Sequence, residues 1–261
     1  MQVRGIVLDA ECQEFGNIHV LVITLELRAN MTTIAERLHD AAARIAKAAT
    51  VSGRNPDAIS LLAVSKRKPL EDVVAALAAG QLAFGENYVQ EGVEKIQALS
   101  AAHPGHKAQW HLIGPLQSNK TALVAEHFDW VQSLDRAKIA KRLDEQRPAH
   151  LKPIQICIQV NISGEQSKSG VSPDEVLALA AAISALPKLT LRGLMAIGSD
   201  AGPDTQHREF HAMKTLFDEL KGRYPQVDTL SMGMSGDLEI AIMEGTTMVR
   251  LGTALFGART N

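Results

Sequence analysis

Leu61-Leu62-Ala63-Val64-Ser65-Lys66 reads as a short buried strand that ends in a cation. It is the first clear member of a series. Apolar runs recur at 60–66, 82–86, 109–114, 130–134, 154–162, 190–198, 229–234 and 248–256. Between most of them lie Ala-, Leu- and Glu-rich stretches with helical spacing, at 70–77, 89–99, 173–185 and 206–220. Eight strands alternating with helices predict parallel βαβ units. In one α/β domain of this length, the simplest closure is a (β/α)8 TIM-type barrel. A doubly wound open sheet is the competing arrangement, but the first strand lacks the G-x-G-x-x-G fingerprint.

Composition narrows the class. The 27 Lys and Arg against 29 Asp and Glu give a net charge of −2, which leaves no electrostatic footprint for nucleic acid. Apolar residues make up 46% of the 261, enough for a sizeable core, and aromatics only 4%, so that core is aliphatic. Cys12 and Cys157 lie far apart and form no metal-type pair, a usage that suits a reducing cytoplasm. The early apolar stretch 18–27 is interrupted by His19 and Glu26, too short and too polar to span a membrane. Residues 1–30 do not share the downstream alternation. Met31 opens a fresh unit, with a capping box at Thr32 or Thr33 and Glu36 ahead of an amphipathic helix to about residue 50. The expected organisation is therefore an N-terminal extension over 1–30, outside the native fold or an extra strand or arm, and a single barrel domain over 31–261.

Active sites of such barrels lie at the C-terminal ends of the strands. Polar residues gather there repeatedly: Ser65-Lys66, Glu86-Asn87, Ser133-Leu134-Asp135, Asn161, Ser235-Gly236-Asp237 and Arg250-Leu251-Gly252-Thr253. A lysine desolvated at a strand end and flanked by Arg67 and Lys68 has its amine pushed toward the neutral, nucleophilic form needed for a Schiff base. The structural alternative is a lysine whose stem snorkels to water. Ser235-Gly236-Asp237 precedes a helical run at 238–243, and Gly252-Thr253 follows the eighth strand. Barrels often bind phosphate between these two loops, where small residues let the backbone approach the anion. A plain N-cap at Ser235 and a packing glycine at 252 are the structural alternative. Arg250 shares the parity of Gly252, so both face one side of the strand. A lysine and a phosphate site on one barrel mouth point to two chemistries: a Schiff-base aldolase acting on a phosphorylated sugar, or pyridoxal phosphate held on the lysine.

Five segments carry a resemblance: LLAVSKRKP (61–69), FGENYVQE (84–91), WHLIGPLQSNK (110–120), LSMGMSGD (230–237) and TMVRLGTALFG (247–257). Together they resemble the pyridoxal-phosphate homeostasis protein family, over about 31–258. The resemblance implies a single-domain barrel like the cofactor-binding half of alanine racemase, without that enzyme's second domain. It also implies pyridoxal 5'-phosphate as cofactor, held as a Schiff base on Lys66. Ser235, Gly252 and Thr253 would take the phosphate, Arg250 would face the pyridine nitrogen, and Asn87 and Met232 would line the ring pocket. The implied role is vitamin B6 homeostasis, storing, buffering or delivering the cofactor to pyridoxal-phosphate-dependent apo-enzymes without robust catalysis, as a monomer or weak dimer. A racemase-like pyridoxal enzyme is the alternative. Residues 1–30 have no counterpart in the pattern.

Other features read more plainly. His207 and His211 stand four apart but lack the Glu of the zincin pattern, which favours a solvated helix face and no metal. His111 either lines the mouth or is a hydrogen-bonded core histidine. Met195, Met232 and Met234 read as gap fillers.

Overall fold

The computed structural model describes residues 32–165 and 168–258, so the readings of residues 1–30 lie outside the described residues. Eight strands follow the predicted rhythm: β1 (Ser60–Val64), β2 (Ala83–Glu86), β3 (Gln109–Leu112), β4 (Trp130–Leu134), β5 (Ile154–Gln159), β6 (Leu189–Met195), β7 (Thr229–Ser231) and β8 (Met248–Leu251). Each pairs in parallel with the next, and β8 returns to β1 through Ser60↔Met248 to Ala63↔Leu251, closing the barrel. The outer layer is α1 (Ile34–Val51), α2 (Leu70–Ala78), α3 (Val89–Ala102), α4 (Thr121–His127), α5 (Ala137–Gln146), α6 (Val176–Ser184) and α7 (Pro203–Arg223). Two short helices, α8 (Leu238–Met243) and α9 (Thr253–Phe256), follow the last two strands.

Local signals explain the boundaries. Thr33, not Thr32, caps α1: its Oγ1 accepts the Glu36 N–H at 3.2 Å, and Glu36 Oε2 accepts the Thr33 N–H at 2.7 Å. Ser172 and Glu175 form the same box ahead of α6. The eighth apolar run is not one strand. It breaks at Gly252, and its last four residues coil into α9.

The two faces of the strands differ in kind. Outward residues such as Ala63, Ile154, Ile156, Ile158, Leu191 and Val249 join the helices in one aliphatic core. The inward set is largely polar: Arg250 of β8, Ser231 of β7, Gln132 of β4 and His111 of β3 bond one another across the barrel. That contact between non-neighbouring strands settles the side on which Arg250 lies.

Candidate functional site

At the C-terminal ends of the strands lies a cavity of about 360 Å3, within the range for small-molecule and cofactor sites. Its wall includes Lys66, Asn87, Ser235, Arg250, Gly252 and Thr253, residues from the ends of four strands that the fold brings together. Met232, expected at the ring pocket, is instead fully buried in the aliphatic core. Met195 and Met234 reach the wall, with Ile113, Ile197 and Val64 as its apolar part. These apolar residues carried no sequence signal beyond their place near strand ends.

The backbone around Lys66 is held on both sides by one buried cluster. Lys95, on the inner face of α3, donates to Ser65 O at 2.6 Å, Glu86 Oε1 at 2.8 Å and Glu91 Oε1 at 2.7 Å. Ser65 Oγ donates to the same Glu86 oxygen at 2.6 Å. The N–H of Arg67, whose φ of 58° is in the left-handed region, is accepted by Glu91. Burial raises the Glu86 carboxyl above its ordinary pKa, and Lys95 opposes that shift. The expected cationic crowding beside Lys66 is not arranged through its neighbours in sequence. The Arg67 guanidinium lies 5.6 Å over the exposed Tyr88 ring, and Lys68 Nζ donates to Phe256 O and Ala258 O at 2.9 and 2.8 Å. Arg250 is the second cation on the cavity wall.

Arg250 is 5% exposed. Its Nη1 donates to Ser231 Oγ at 3.0 Å and its Nη2 to Ala196 O at 2.8 Å. Burial pushes its pKa down to about 10, with Asp237 opposing, so the guanidinium remains charged at neutral pH. The phosphate-type loops are small and braced. Asp237, rather than Ser235, is the N-cap residue of α8, and its Oδ1 accepts the Met234 N–H at 2.5 Å. The Ser235 carbonyl accepts from Arg44 Nη2 at 3.0 Å, and Arg44 also grips Glu239 with two bonds of 2.6 and 2.7 Å. Gly252 lies flush against β1: an added Cβ would sit 3.2 Å from Val64 O. Gly114 has no room for any side chain, because a Cβ would come within 2.1 Å of the Asn87 carbonyl oxygen. That close approach fixes Asn87, whose Oδ1 is buried without a hydrogen-bond partner. An orphaned acceptor, a charged donor and two small-residue loops on one wall fit an anionic heteroaromatic ligand.

The three histidines singled out in the sequence stand apart from this cavity. His111 is a core histidine, stacked 4.9 Å from Trp130 and bonded at Nδ1 to Gln132 at 2.9 Å. His207 and His211 both pair with Glu244, at 2.8 and 3.1 Å. Among the described residues, no group of three or more His, Cys, Asp or Glu side chains could hold a metal, and no helix is long and apolar enough to cross a membrane.

Comparison with known proteins agrees with this fold. The model of the alanine racemase N-terminal domain matches residues 37–260. The chain is 54% identical over 230 residues to the pyridoxal phosphate homeostasis protein of Vibrio alginolyticus, covering 88% of this chain and 99% of that one. It is 53% identical over 233 residues to the protein of the same name from Escherichia coli K12, covering 88% and 98%. Among solved structures, PipY of Synechococcus elongatus with pyridoxal phosphate bound superposes with a TM-score of 0.71 at 37% identity, over 86% of this chain and all of that one. Alanine racemase from Corynebacterium glutamicum shares the fold, at 18% identity and a TM-score of 0.59, and this chain covers 61% of it. The chain belongs to the alanine racemase N-terminal domain family and, within it, to the pyridoxal phosphate homeostasis proteins.

Proposed function

We propose that this chain binds pyridoxal 5'-phosphate through Lys66 and holds it in reserve for vitamin B6 homeostasis. The observation that carries the reading is the convergence of Lys66, Arg250 and the Ser235 and Gly252-Thr253 loops on one cavity wall. The Lys66 amine would condense with the cofactor's aldehyde as a Schiff base, with release of water. Ser235, Thr253 and the backbone beside Gly252 would take the phosphate, and the Asn87 Oδ1 offers an acceptor to the ring substituents.

Arg250 gives the reading its chemical limit. A guanidinium only donates hydrogen bonds, so a pyridine nitrogen facing it stays unprotonated and the ring is a weak electron sink. Among the described residues, the cavity wall carries no carboxylate, imidazole or phenol to serve as a second acid or base. Both features support holding the cofactor over turnover of an amino acid.

Borohydride reduction followed by peptide mapping tests the site and the ligand together. The expected adduct is pyridoxyl on Lys66, with the visible band lost in Lys66→Ala. An adduct on another lysine, with none on Lys66, would overturn the assignment. Racemisation of alanine at ordinary enzyme rates, abolished by Lys66→Ala, would overturn the non-catalytic role.

A further inference from the structure

Arg250 can only donate, and that fact dictates the polarity of a buried chain across the barrel. Its Nη1 donates to Ser231 Oγ at 3.0 Å, so the one hydroxyl proton of Ser231 is left for another partner. That partner is Gln132 Oε1, at 2.7 Å. With its oxygen turned to Ser231, Gln132 presents its amide nitrogen to His111 Nδ1 at 2.9 Å and to Met248 Sδ at 3.1 Å. His111 Nδ1 accepts, which puts the imidazole proton on Nε2. Ser231 and Gln132 are fully buried and His111 is 1% exposed, so water does not supply substitute partners. Burial also holds His111 neutral, with a pKa near 3, so its Nδ1 does not take up a proton and reverse the chain.

We propose that Ser231 and Gln132 are positioning residues, which fix the guanidinium of Arg250 in the orientation it presents to the cofactor. Among the described residues, two protein acceptors hold that group. Ala196 O is backbone and cannot turn. Ser231 Oγ is a rotor, and its lone pairs face Arg250 only while its proton is committed to Gln132. Removing Gln132 frees the hydroxyl to turn its proton toward the cation, which converts an acceptor into an opposing dipole. The inference rests on the reading that Arg250 faces the cofactor.

The test is a pair of variants in two backgrounds. Gln132→Leu and Ser231→Ala are made alone and with Arg250→Met, and pyridoxal phosphate affinity and the visible absorption maximum are measured. Each single variant is expected to weaken binding about tenfold, the size of one hydrogen bond to a charged group, and to move the maximum. Neither should change anything further once Arg250 is Met, since coupled residues do not add. Equal losses in both backgrounds would show an effect on packing alone and sink the proposal, as would no loss in the native background. Arg250→Met that alters neither affinity nor spectrum removes the underlying reading as well, and so separates the two failures. If Gln132→Leu does not fold, Ser231→Ala deletes a single oxygen and carries the same comparison.

Discussion

The mouth and the floor of this barrel are both concave, polar and rich in cations, yet they are satisfied in different ways. The floor cavity, at the N-terminal ends of β3 to β5, is the larger, about 500 Å3 against about 360 Å3 at the mouth. Two of its cations, Arg147 and Arg192, are engaged by the protein. Arg147 donates to the carbonyls of Lys152, Ala125 and Phe128 at 2.8, 2.7 and 2.9 Å. Arg192 pairs with Asp228, donates to Gln155 Oε1 at 2.8 Å and lies 4.9 Å over Trp130. At the mouth, among the described residues, Asn87 Oδ1 is buried with no partner, and Arg250 makes two protein hydrogen bonds with five N–H donors. Volume therefore does not locate the site. What favours the mouth is the convergence of Lys66, Arg250 and two small-residue loops on one wall.

If the floor cations are structural, truncating one should cost stability and leave the mouth untouched. Arg147→Ala orphans three carbonyls and is expected to cost on the order of 4 kcal/mol in denaturant melts. The folded fraction should still take up pyridoxal phosphate with native affinity; a weakened affinity would break the contrast. His111 tests the interior between the two ends. Its pKa falls from 6.5 to about 3 on burial, so below pH 6.5 only the unfolded chain takes up this proton. Its contribution is therefore complete above pH 6.5 and declines as pH falls toward 3, by about 2 kcal/mol at pH 5. His111→Asn should flatten that part of the stability–pH curve, and an unchanged slope would mean the imidazole titrates normally.

Smaller effects belong to the mouth's supports. Gly252→Ala pushes a methyl against Val64, and calorimetry should find pyridoxal phosphate binding weakened about tenfold, roughly 1.4 kcal/mol, with the melting temperature little changed. Arg44→Ala removes a half-exposed ion pair with Glu239, 39% and 53% exposed, and should cost about 0.5 kcal/mol in the same melts. A much larger loss would mean that bracing the Ser235 carbonyl matters more than the pair itself.

The strand rhythm was legible because apolar runs and helical spacing are local, and each strand needs only its own residues to announce it. Segment 248–256 misled at its end, because a continuous apolar run does not show where a strand gives way to a short helix. Lys66, Ser235, Gly252 and Thr253 were legible as strand-end residues of the right type. Met232 was not, since two methionines two apart both suit a pocket and only packing sends one into the core and the other to the wall. Gln132 was not legible inside Trp130–Leu134, because a polar residue in a strand does not by itself show which strand across the barrel supplies its partner. The cluster around Lys95 was equally hidden, because its members are joined only when α3 packs on the strands.

By itself, the sequence determined the eightfold alternation, the loops at which small and polar residues gather, and the lysine at the end of the first strand. These follow from periodicity and residue type, which act over a few positions. Tertiary structure alone decided that Arg250 points inward, that Lys68 turns away to α9, and that Ser231, Gln132 and His111 stand behind the guanidinium. Those outcomes depend on which buried donors find acceptors after the barrel closes, and the partners come from strands as far apart in sequence as β3 and β8.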